Sequence, residues 1–115
     1  MLVSKEFTFD SAHFLTKYHG KCENLHGHTY RLRVTVSGPV QEDGMVVDFK
    51  ELKALVKEQV VDRYDHQNLN DFFENPTAEL VAMQIWKDLV ERVPGDLFEV
   101  VLWETAESFV TYRGE

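Results

Sequence analysis

From Tyr30 to Val36 the chain runs Tyr-Arg-Leu-Arg-Val-Thr-Val, apolar and polar by turns. That period of two specifies a strand with one face turned toward a core. Carried backwards, the same parity puts His26 and His28 on the face of Tyr30, Leu32, Val34 and Val36. A strand reaching back to His26 sets the two imidazoles roughly 6 to 7 Å apart along the chain, a gap that two ligands of one metal can span.

A third imidazole follows from the same argument. Phe7-Thr-Phe-Asp-Ser-Ala-His13 also alternates, and His13 shares the face of Phe7 and Phe9. Pairing of this strand with the next brings His13 to the other two. Three neutral imidazoles without a fourth protein ligand are the pattern of a catalytic zinc site, which keeps one position open, whereas structural zinc sites are closed and rich in cysteine. A His-x-His pair in a half-buried strand also occurs as packed core. Cys22 stands four residues before His26, either as a small buried hydrophobe or as a free thiol with chemistry.

At 115 residues the sequence is expected to form one domain, residues 1–115. No apolar run approaches the ~20 residues of a membrane-spanning helix, so no membrane association is expected. The single cysteine excludes an internal disulfide and suits a reducing compartment, and with no leader-like N-terminus the expected location is cytoplasmic. Charge is uneven. Residues 1–40 hold five Lys and Arg against three Asp and Glu, net +2, and residues 41–115 hold seven against seventeen, net −10. That balance argues against nucleic acid as a partner, which needs a basic footprint. An anionic small molecule could still dock on Lys17, Lys21, Arg31 or Arg33.

The spacing predicts strands over Val3 to Phe14 and His26 to Gly38, with a turn at Gly38-Pro39 and Asp43-Gly44. Asp48 to Glu51 forms a capping arrangement, and Phe49, Leu52, Leu55, Val56 and Val60 continue a first helix to about Val61. Residues 62–75 are polar and aperiodic, which predicts a long loop of the kind that is often functional. A second helix opens at Asn75-Pro-Thr77, with Pro76 in its first turn, and buries Val81, Ala82, Ile85, Trp86, Leu89 and Val93 before Pro94-Gly95 ends it. Leu97 to Glu104 and Ser108 to Arg113 are the last two strands, around a turn at Thr105 to Glu107. The order β-β-α-α-β-β predicts an α+β domain: a four-stranded antiparallel sheet with two helices on one face. Its edges need protection, and oligomerisation would supply it.

Several blocks in this order carry a resemblance: Ser-Ala-His13-Phe, Cys22-x-x-x-His26-Gly-His28, Gly44-Met-Val-Val-Asp48-Phe, Asp65-His66-Gln-Asn-Leu-Asn70, Asn75-Pro-Thr-Ala-Glu79 and Glu104-Thr105. Together they resemble the 6-pyruvoyltetrahydropterin synthase and 6-carboxytetrahydropterin synthase family, which has the tunnelling fold. The resemblance implies zinc held by His13, His26 and His28, Cys22 as the catalytic thiolate, and Asp65 with His66 as a proton relay. It also implies Glu104 as the anchor of the pterin ring, with Thr105 beside it. A carboxylate suits that task, because a pterin presents adjacent N–H donors that it can accept in parallel. Without the family, Glu104 reads as an ordinary solvated strand end.

Only Glu23, Asn24 and Leu25 separate Cys22 from His26. That short spacing is similar to the carboxy-forming branch, which serves queuosine and related deazapurines and converts 7,8-dihydroneopterin triphosphate to 6-carboxy-5,6,7,8-tetrahydropterin, acetaldehyde and triphosphate. The pyruvoyl-forming branch is the alternative. A non-catalytic, zinc-dependent binding module is another. The family further implies a homohexamer, two stacked trimers, with active sites at subunit interfaces.

Overall fold

Strands β1 (Leu2–His13) and β2 (His26–Ser37) pair antiparallel along their whole length, from Leu2 opposite Ser37 to His13 opposite His26, in the computed structural model, which describes residues 1–115. The alternation read from the sequence sets this register. Phe9 faces Tyr30 and Phe7 faces Leu32, so the apolar sets of both strands share one side of the sheet.

Helix α1 (Phe49–Val56) starts where Asp48 accepts a hydrogen bond from the Lys50 amide at 2.8 Å. It continues through a π-helical turn at Lys57–Val61 into α2 (Asp62–Tyr64), three residues beyond the expected end. Leu52, Val56, Val60 and Tyr64 are all buried. Steps of four overshoot the 3.6-residue turn by about 40° each, and the wider π turn offsets that drift, keeping Val60 and Tyr64 on the core. Phe49, expected in the buried stripe, is 54% exposed.

The segment after Tyr64 is more ordered than a loop. Strand β3 (Gln67–Asn68) lies parallel to β1 at Ser11 and Ala12, and a short 3-10 turn, Leu69–Asp71, follows. Helix α3 (Ala78–Leu89) is capped by Thr77, whose side chain accepts from the Leu80 amide at 3.2 Å. Pro76 therefore precedes the cap instead of occupying the first turn. Strand β4 (Asp96–Trp103) pairs with β2, and β5 (Phe109–Tyr112) pairs with β4. The sheet thus has five strands in the order β3-β1-β2-β4-β5, and it is mixed. The expected four-stranded antiparallel sheet is corrected by β3, whose two residues are too few to show any period.

One core joins the sheet to both helices. Phe9, Tyr30, Leu32, Val34, Val36, Val100 and Leu102 meet Leu52, Val56 and Val60 from the first helix and Val81, Ile85 and Leu89 from α3. The opposite face of the sheet is open. There the Arg31 guanidinium lies 3.9 Å from the centre of the Trp103 ring, and Arg31 and Arg33 both approach Glu6, at 3.8 and 3.9 Å. These two cations, candidates for an anionic ligand, are engaged by an aromatic ring and a carboxylate. No helix is long and apolar enough to cross a membrane.

Candidate active site

His13 and His26 form the last cross-strand pair of β1 and β2, and His28 lies one pleat further in on the same face. The three rings stand 4.6, 4.8 and 5.1 Å apart between centroids, and one nitrogen from each lies within 4.8 Å of the other two. The parity argument therefore holds for all three residues. What it could not show is how the rings are oriented. His13 Nδ1 lies 2.8 Å from the Pro76 carbonyl, and His26 Nδ1 lies 2.8 Å from the Asn24 carbonyl. A carbonyl oxygen only accepts, so both rings carry their proton on Nδ1 and leave Nε2 bare. The position of Pro76 ahead of the helix cap is what frees its carbonyl for this bond.

Two of the bare nitrogens are orphaned. His13 Nε2 and His28 Nε2 are buried and have no hydrogen-bond partner, although a buried unpaired polar atom costs about 1 to 3 kcal/mol. A metal ion at their meeting point would satisfy both, so the donor set fits zinc: neutral imidazoles, converging, with no thiolate in the cluster. Burial lowers the pKa of His28, with Glu104 opposing and His13 and His26 reinforcing the shift. The neutral imidazole that a metal requires is thereby favoured.

Glu104 follows directly on β4 and stands at the rim of the cluster, Oε1 at 3.5 Å from His28 Nε2 and Oε2 at 3.9 Å from His13 Nε2. The turn that follows holds it there. Thr105 Oγ1 accepts from the amides of Glu107 and Ser108, at 3.3 and 3.1 Å, so this hydroxyl shapes the turn that holds Glu104. A cavity of about 210 Å³ adjoins the carboxylate, lined by Ala78, Glu79, Glu104, Ser108, Phe109 and Val110. Glu79 entered the sequence reading only within the Asn75-Pro-Thr-Ala-Glu79 block, with no role, and Ser108 and Phe109 were given none either, because a helix-start glutamate and a turn serine look ordinary. Below the imidazoles, burial raises the pKa of the Tyr30 phenol far above its usual range, and the Glu104 charge adds to the effect.

Cys22 lies in a single 3-10 turn, Lys21–Glu23, with its side chain half-buried. Its carbonyl accepts from the Leu15 amide at 2.7 Å, which ties this loop to the chain just past β1.

Asp65 and His66 are placed elsewhere. Asp65 Oδ1 accepts from the Asp10 amide at 2.9 Å, and Asp65 Oδ2 lies 3.0 Å from His66 Nδ1. The Asp10 amide, followed by His66, holds the Asp65 carboxyl below its ordinary pKa. His66 has a φ of 60°, which its amide bond to the Asp10 carbonyl at 2.6 Å helps to fix. Asp10 has the opposite parity to His13, and the pair groups with the Asp10 carboxylate beside a cleft of about 520 Å³ lined by Asp10, Gly27, His28, Thr29, His66 and Gln67 among others. The Asp65–His66 pair thus stands outside the three-imidazole cluster at the edge of β1, and of the three imidazoles His28 alone lines the same cleft. One chain brings His13, His26, His28 and Glu104 together, but not the relay pair.

The sequence profile of the 6-pyruvoyl tetrahydropterin synthase family matches residues 2–115. The chain belongs to this family. It is similar to the 6-carboxy-5,6,7,8-tetrahydropterin synthase of Haemophilus influenzae, at 39% identity over 96% of this chain and 97% of the relative. It is equally similar, at 39% identity over 100% of this chain and 97% of the relative, to the 6-pyruvoyl tetrahydrobiopterin synthase of Dictyostelium discoideum. Among solved structures, the 6-pyruvoyl tetrahydropterin synthase of Caenorhabditis elegans matches with a TM-score of 0.90 at 32% identity, covering 100% of this chain and 96% of that one. The tunnelling fold and a tetrahydropterin synthase type of enzyme follow from family membership.

Proposed function

We propose that this family member is a zinc-dependent carbon–carbon lyase, a 6-carboxy-5,6,7,8-tetrahydropterin synthase that converts 7,8-dihydroneopterin triphosphate and one water to 6-carboxy-5,6,7,8-tetrahydropterin, acetaldehyde and triphosphate. The observation that carries the reading is the convergence of two buried, unpartnered imidazole nitrogens beside the Glu104 carboxylate. His13, His26 and His28 would hold the zinc, which supplies Lewis-acid polarisation of a substrate oxygen at its open position.

Every other role falls to the chain itself. Glu104 accepts two hydrogen bonds from the pyrimidine edge of the pterin, and the adjoining cavity, with Thr105 shaping its rim, receives the ring. Cys22 takes a proton from the substrate side chain, and His66, oriented by Asp65, returns one. The relay stands outside the imidazole cluster of its own chain, so in this reading it serves the Cys22 of a neighbouring copy. A homohexamer with sites between subunits supplies that arrangement.

The three-residue spacing between Cys22 and His26 supports the carboxy-forming branch. Similarity over the whole chain to the Dictyostelium discoideum enzyme supports the pyruvoyl-forming one as the second reading. Acetaldehyde release from dihydroneopterin triphosphate, followed with alcohol dehydrogenase and NADH, separates the two. The first reading requires acetaldehyde in step with pterin turnover, and turnover without acetaldehyde contradicts it.

A further inference from the structure

Beneath the three imidazoles lies Tyr30, fully buried. Its ring stacks on Phe9 with centroids 5.2 Å apart and planes 10° from parallel. Against the cluster it turns differently, meeting His13 at 6.0 Å and 84° and His28 at 5.6 Å and 80°. The phenol oxygen lies 3.3 Å from His13 Nδ1, the nitrogen that also donates to the Pro76 carbonyl.

A core floor needs volume here, and phenylalanine would supply it. A hydroxyl buried without a partner is destabilising, and the one hydrogen-bonding group the structure gives this hydroxyl is His13 Nδ1. The Nδ1–H of His13 therefore faces two acceptors, a carbonyl and a phenol oxygen. A half-turn of the imidazole would exchange Nδ1 for a carbon and strand both, so two acceptors bias the ring more strongly than one. The favoured orientation is the one that aims Nε2 at the centre of the cluster.

We infer that Tyr30 is a positioning residue for the metal site: its ring fixes the planes of His13 and His28, and its hydroxyl adds to the Pro76 carbonyl in holding the His13 ring in the orientation that aims Nε2 at the cluster. This rests on the zinc reading above. Groups that orient metal-bound histidines through their second nitrogen are worth 10- to 100-fold in metal affinity, and here the Pro76 carbonyl remains in any variant, so about ten-fold is expected.

The test compares Tyr30→Phe with the wild-type chain by chelator competition for zinc and by nitrogen NMR of the metal-free imidazoles. Tyr30→Phe should bind zinc about ten-fold more weakly. Its metal-free His13 should show two ring orientations, as a second set of imidazole nitrogen signals or as exchange broadening, where the wild type shows one. Phe9→Leu serves as control, because it loosens the same stack while keeping the hydroxyl, and should lower thermal stability without lowering zinc affinity. Unchanged zinc affinity and a single His13 ring orientation in Tyr30→Phe would overturn the inference, as would equal losses in Tyr30→Phe and Phe9→Leu. A wild-type chain that binds no zinc would instead defeat the zinc reading itself, and this inference with it.

Discussion

His26 closes the cross-strand register with His13, and its ring is held by the carbonyl of Asn24, two residues back. Replacing it by Ala removes one of the three imidazoles proposed to hold zinc and leaves the two orphaned nitrogens of His13 and His28 in place. Metal analysis of the purified variant should show zinc lost, and a zinc content equal to the wild type would remove His26 from the site. Glu104→Ala tests a different role. It should keep its zinc and its fold but bind substrate more weakly, by roughly 1.5 to 3 kcal/mol for each charged hydrogen bond removed. A Michaelis constant and turnover both unchanged would return Glu104 to a solvated strand end. At this scale the three-imidazole cluster was legible from parity alone, because a strand converts residue number into face. The carbonyls of Pro76 and Asn24 were not, since a backbone acceptor has no signature in the sequence. Tyr30 was legible as core, but its hydroxyl only gains meaning once His13 Nδ1 is seen beside it.

The long strands and both main helices follow from period and capping residues, and they appear close to where the sequence predicts. The exceptions differ in cause. Strand β3 is set by a partner far away in the chain, β1, whereas the cap at Thr77 is a local bond to the Leu80 amide. Gln67 and Asn68 become a strand only because β1 offers them a free edge. Pro76 leaves the helix because Thr77 takes the cap, and this shift delivers the carbonyl that His13 uses. Thr77→Ala should therefore cost about 1 kcal/mol of stability, the usual value of an N-cap, measured by urea denaturation of the metal-free protein. A loss near zero would mean that the helix start is held by packing and that the cap bond contributes little.

For the whole molecule, the sequence specified an α+β domain with an uncovered sheet face, and the structure adds which chemistry lies on which side. The Asp65–His66 pair hangs from Asp10 outside the imidazole cluster, a placement that no local pattern encodes, because it depends on the parallel contact between β3 and β1. Subunit mixing examines the consequence. Cys22→Ala and His66→Ala should each be inactive alone. Co-refolded in equal amounts, they should recover up to about one quarter of wild-type turnover, since a site that draws on two copies can then combine an intact thiol with an intact relay. No recovery in verified mixed oligomers would place the relay and the thiol in the same chain.

The proposed activity is tested most directly by the mass of the pterin that zinc-loaded protein makes from 7,8-dihydroneopterin triphosphate. The account predicts 6-carboxy-5,6,7,8-tetrahydropterin, formed with one acetaldehyde per pterin and lost when the zinc is chelated from protein that remains folded. A product that keeps its three-carbon side chain as a pyruvoyl group, or undiminished turnover after the metal is gone, would contradict it.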